Sequence, residues 1–183
     1  MTAPSWGDYL PFDARISGPL RELPRAAAED HFARLMAARH ERRAALAALA
    51  ARHGVAGVMD LDDADAPAAL GAWLGASLAA AGRDAFTGAD AWRWTGVVAD
   101  VALWLGDRVV ARAPAVRWEL CASHKKATGY QRPVLVGFGK VADRFYYVDV
   151  AHMVASWAQL AARGRPYRAD FLATIEQVTL ADA

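Results

Sequence analysis

The chain has 183 residues, 55% hydrophobic and 22% charged, and its 21 Lys+Arg against 20 Asp+Glu leave a net charge of +1. That length fits one domain with a sizeable core, or one domain plus an appended arm, and the near-neutral balance argues against a nucleic-acid-binding protein on global charge. A single cysteine, Cys121, excludes an intramolecular disulfide and any multi-cysteine zinc site.

Residues 1–23 hold Pro4, Gly7, Pro11, Gly18 and Pro19, too many breakers for regular structure. They also hold Trp6, Tyr9, Leu10 and Phe12, which predicts an extended aromatic arm lying across a groove of its own domain or of a partner. The opening Met-Thr-Ala-Pro-Ser-Trp-Gly-Asp has no basic segment followed by an apolar run, so no secretory signal is expected. No apolar run reaches the roughly 20 residues of a membrane helix, so no membrane partner is expected either. The abundance of alanine and arginine fits a GC-rich bacterial genome, and the expected setting is the bacterial cytoplasm.

Pro24 suits the first turn of a helix and Gly54 its stop, predicting a helix over 24–53. Phe32, Met36, Arg39, Arg43, Leu46 and Ala50 recur at 4-3-4-3-4 spacing and so share one seam of it, with Arg42 flanking. Arginine cannot deprotonate, so whatever packs on that seam must supply acceptors or leave room for water. Three readings stay open: an anion or carboxylate site, stems that pack while the heads stay wet, and an ion pair with the acidic linker at Asp60–Asp65. That linker has Asp60, Asp62, Asp63 and Asp65, but neither the glycine nor the glutamate of a calcium loop, so no metal is expected.

Asp65 is expected to cap a helix over 66–81 with Pro67 just inside it and Leu70, Trp73, Leu74 and Leu78 as its buried stripe. A third helix is predicted over 91–112, with Val98, Val101, Leu105 and Val109 inward and Pro114 barring continuation. Asp100 and Asp107 share a face of it about two turns, or roughly 10 Å, apart, too far for joint acid–base work on one bond. Asp100 could instead accept from Arg39 or Arg43 if the first and third helices pack together.

The pattern then changes to period two, with Val116, Trp118 and Leu120 alternating with Arg117 and Glu119. Strands are predicted over 116–122, 133–138 and 144–150, followed by a helix over 151–163 with Met153, Trp157 and Leu160 inward, and a last helix within Tyr167 to Leu180. Helices followed by three closely connected strands predict a single α+β domain over 24–183, a small three-stranded antiparallel sheet packed by helices.

Cys121 and His124 lie three apart where a strand runs into a loop, the only hint of nucleophilic catalysis, and no cysteine-hydrolase motif surrounds them. His124, Lys125, Lys126, Tyr130 and Arg132 give the same loop a basic and aromatic character suited to phosphate, nucleic acid or an acidic protein, or simply to water. The dinucleotide, P-loop, Gly-x-Ser-x-Gly and His-Glu-x-x-His patterns are all missing, so no cofactor is expected. With every catalytic template failing, the leading expectation is a non-catalytic bacterial protein-binding module, an immunity or adaptor protein of a conflict or secretion system. It would dock through Trp6, Tyr9 and Phe12, the arginines 39, 42 and 43, Asp100 or the basic loop. The alternatives are an enzyme or small-ligand binder with an anion site at Arg39 and Arg43, and nucleic-acid binding through the basic stretch 108–168, whose 11 basic residues face Glu119, Asp143 and Asp149 alone.

Overall fold

The computed structural model describes residues 4–122 and 125–183. After an extended N-terminal stretch and a 3-10 turn at Leu20–Glu22 come helices α1 (Arg25–Arg52), α2 (Ala66–Ala81), α3 (Asp84–Thr87) and α4 (Ala91–Arg112). Strands β1 (Arg117–Leu120) and β2 (Pro133–Val136) and helices α5 (Val150–Ala162) and α6 (Phe171–Asp182) complete the chain. The structure therefore mixes helices with a small antiparallel sheet. Among the described residues no helix is long and apolar enough to cross a membrane.

Helix α4 is the axis of the molecule. Every residue from Asp100 to Val109 is buried, because α1, α3, β1, α5 and α6 all pack on it. A helix apolar nearly all round is what such a central position requires. Its two carboxylates and Arg108 must then find partners inside the protein. Close approach is helped by glycine: a Cβ on Gly106 would sit 2.1 Å from Cζ2 of Trp118, so only a bare backbone lets β1 lie against α4.

The sheet has two strands where three were expected. β1 and β2 pair antiparallel, Arg117 opposite Val136 and Leu120 opposite Pro133. The segment 144–150 contributes a single bridge, with Leu135 and Val148 exchanging two backbone hydrogen bonds of 2.9 Å. Its ends are claimed by turns. The Asp143 carboxylate accepts from the Phe145 amide, and the Asp149 carboxylate accepts from the His152 amide to start α5. Little extended chain remains between them to build a ladder.

Other boundaries also shift. Asp63 rather than Asp65 supplies the carboxylate at the start of α2, accepting from the amides of Asp65 and Ala66. Leu160 is exposed, and α5 buries Val150, Val154, Trp157, Ala158 and Ala161 instead. On α1 the buried residues are Ala28, His31, Arg42, Leu46, Leu49 and Ala50. The inward seam is thus rotated so that Arg42, not Arg39 or Arg43, lies at its centre.

Candidate functional site

The arm lies on its own domain, across α1 and α4. Tyr9 is buried and its hydroxyl donates to Oδ2 of Asp100 at 2.6 Å. Arg42 donates to both oxygens of the same carboxylate, Nε to Oδ1 at 3.1 Å and Nη2 to Oδ2 at 2.6 Å. Its guanidinium also stands 5.5 Å from the Tyr9 ring centre. Helices α1 and α4 are thereby bolted together by a forked ion pair, and the arm is pinned onto the bolt. Burial pushes the Asp100 carboxyl upward against the pull of Arg42 and Tyr9. Burial also drives the Tyr9 phenol far up, helped by the Asp100 charge, so Tyr9 stays a donor. For Arg42 burial pulls downward, yet the hydrogen bond and charge of Asp100 outweigh it and the net shift is upward.

The rest of the arm follows the same surface. Trp6 packs edge-on against Trp94 at 5.0 Å. Phe12 meets His31 edge-on at 5.9 Å. Arg34 donates to the carbonyls of Asp13 and Ala14. Pro11 crosses α4 where a Cβ on Gly96 would come within 2.5 Å of the proline ring. At the end of the arm Gln131, buried and with φ of 60°, donates from Nε2 to the carbonyls of Leu20 and Leu23 at 2.7 and 3.0 Å.

Beneath this strap runs a cleft of about 300 Å³. Its walls are Phe12 and Leu20 from the arm, His31 and Leu35 from α1, Trp92, Ala99 and Leu103 from α4, and Trp118 and Pro133 from the sheet. The polar groups that reach it are His31, Thr95, Asp100 and Arg132. Ala99 is exposed, so the cleft opens to solvent along α4. Burial pulls the His31 pKa below its ordinary value, which keeps the ring neutral beside the Ala14 carbonyl. Arg132 is held by Asp149 at 3.1 Å.

Arg39 and Arg43 do not reach this cleft. They line a separate shallow hollow with His40 and Asp107. Trp118 stands between the two spaces, lining the cleft while its indole donates to Asp107 Oδ1 at 3.0 Å. The expected bridge between α1 and α4 exists with its partners exchanged: Asp100 takes Arg42, and Asp107 takes Arg39 at 3.0 Å. Among the described residues the linker aspartates pair with none of these arginines. The Asp60 side chain accepts instead from the Asp62 amide, closing the turn on itself.

Of the basic loop, Lys125 and Lys126 are exposed, Arg132 is half-buried in its pair with Asp149, and His124 lies outside the described residues. Cys121 is buried in a small satellite cluster with Ala127 and Val134, flanked by Tyr130, Val136 and Tyr147. A further charged centre lies between α4 and α6. Arg108 is fully buried, donates to both oxygens of Glu176, and Arg112 shares one of them. Nothing local signals that pairing, since the partners are 68 residues apart. The strand alternation picks out Trp118 but not the cleft it shares with His31, Trp92 and Ala99; the helical register of His31 with Leu35, and of Ala99 with Leu103, is the available sign.

Comparison with protein-family models, with curated proteins and with solved structures finds no match.

Proposed function

We propose that the protein is a non-catalytic binding protein for a small, largely apolar molecule held in the cleft beneath the N-terminal arm. The observation that carries this reading is the cleft itself: about 300 Å³, walled by aromatic and aliphatic side chains, with a few polar groups converging on it. Such a combination, with shifted ionisable groups beside it, is the usual form of a ligand site. At about 30 Å³ per water molecule the space matches roughly ten waters, and apolar walls hold those waters poorly. An apolar occupant gains by releasing them. The oxygens of Asp100 are engaged by Tyr9 and Arg42, so its part is to hold the arm over the cleft rather than to move protons.

The test is titration of naphthalene and indole into the protein, followed by NMR of the Trp92 indole. Saturable shifts are expected in the wild type. Ala99→Trp, at an exposed position lining the cleft, should abolish them while leaving the melting temperature nearly unchanged. Absence of saturation in the wild type, or unchanged binding in a folded Ala99→Trp variant, would sink the reading.

A second reading, engagement of another protein as an immunity or adaptor module, is favoured by the exposed apolar side chains Leu10 and Trp92 on the arm face and Phe145 beyond β2. Trp6, Tyr9 and Phe12 are packed on their own domain, so a partner would meet the outer face of the arm. Loss of a co-purifying protein on Leu10→Ser/Trp92→Ser, with the fold kept, is its expected signature.

A further inference from the structure

The hollow around Arg39 and Arg43, about 450 Å³ and open to solvent, holds more donors than acceptors. Asp107 is its sole carboxylate among the lining residues. Oδ1 of Asp107 already accepts from Arg39 Nη1 and from Trp118 Nε1, both at 3.0 Å. Oδ2 stands 3.8 Å from Arg43 Nη1, an ion pair beyond hydrogen-bond reach. The Arg43 guanidinium meets His40 Nδ1 at 3.1 Å, and its buried Nε has no hydrogen-bond partner in the structure. Two permanent cations thus share one carboxylate, and one of them, 18% exposed, leaves most of its five donors unused. Long-stemmed arginines with solvated heads need no such arrangement, because water satisfies them. Here the Arg43 side chain is only 18% exposed on a rigid helix, and its planar fork has the geometry that matches paired carboxylate or phosphate oxygens. Met36 and Leu61 supply an apolar wall to the same hollow.

We propose that this hollow is an anion site for an oxyanion carried on a small apolar body, a carboxylate or a phosphate group. The oxygens lie against the Arg43 fork and the unengaged donors of Arg39, and the body lies on Met36 and Leu61. The site is separate from the cleft beneath the arm and stands or falls independently of it.

The Trp118 indole reports on it, since its N–H shares Asp107 Oδ1 with Arg39. Phosphate, acetate and butyrate are titrated at constant ionic strength set by chloride, and the Trp118 indole signal is followed by NMR. Saturable shifts are expected, with butyrate binding several-fold more tightly than acetate. Arg43→Gln should weaken binding at least tenfold, because Asp107 keeps Arg39 and Trp118 and the fold is retained. Arg43→Lys preserves the charge and most of the stem but removes the fork, and should also weaken binding. Shifts that grow linearly and match chloride overturn the proposal, as does unchanged affinity in both variants. Equal affinity for acetate and butyrate overturns the apolar wall.

Discussion

Asp100 is the residue on which the arm, α1 and α4 meet, and its removal has a calculable cost. The side chains of Arg42 and Asp100 are 7% and 3% exposed, so Asp100→Ala leaves a guanidinium that can neither reach water nor lose its proton. Stranding one member of a buried pair costs about 3–5 kcal/mol. The Tyr9 hydroxyl, deprived of its acceptor, adds about 1 kcal/mol. For a chain of this size each 1 kcal/mol moves the melting temperature by about 2–4 °C, so a fall of about 8–24 °C is expected. Replacing both partners by apolar groups of similar volume, Arg42→Met/Asp100→Leu, should recover most of that loss, since the desolvation penalty disappears with the charges. Tyr9→Phe should cost less, about 1.5–3 kcal/mol, because the ion pair survives. Urea denaturation followed by circular dichroism measures all three. A single Asp100→Ala variant within about 1 kcal/mol of wild type would refute the reasoning, as would a double variant no better than the single.

Two further outcomes follow from contacts at the same faces. Gly106→Ala places a Cβ 2.1 Å from Trp118 Cζ2, so a loss of about 1–3 kcal/mol or more and a displaced Trp118 indole signal are expected, relieved by adding Trp118→Leu. His31 titrates below its ordinary value of 6.5 in the folded state, chiefly through burial. The unfolded chain therefore binds the proton first, and the contribution of His31 is complete above that ordinary value and is lost as pH falls through the folded-state pKa. Wild-type protein should lose more stability than His31→Leu between about pH 7.5 and about pH 5, and equal losses would count against a buried neutral ring.

What could be read from the sequence was local. Pro24 and Gly54 bracket α1 at 24–53 against an observed Arg25–Arg52, and Asp149 starts α5 as its carboxylate chemistry suggests. The expected seam of α1 matches the buried face at Leu46 and Ala50 but departs from it over the first half, because alanine occupies both sides of that helix. Spacing chose the line through Arg39 and Arg43, whereas packing chose the one through His31, Arg42, Leu46 and Leu49. That α1 would bond to α4 through Asp100 was legible as chemistry, but which arginine would do it depends on helix rotation, a tertiary quantity. The third strand failed for a reason written in its own ends: Asp143 and Asp149 both turn the chain, leaving Val148 as the lone bridging residue. The cleft is assembled from the arm, α1, α4 and the sheet, and no stretch of sequence contains it.

The hold of Gln131 on Leu20 and Leu23 joins segments 111 and 108 residues apart, and Tyr9 meets Asp100 across 91. On a ribosome adding about 5–20 residues per second, the arm emerges roughly 5–20 seconds before Gln131 exists to grip it. Trp6, Tyr9 and Phe12 have their surface sooner, since α1 and α4 are complete by Arg112. Contacts of such long range are formed late and slowly. Until Gln131 is made, the far end of the arm at Leu20 and Leu23 lacks the side chain that fastens it.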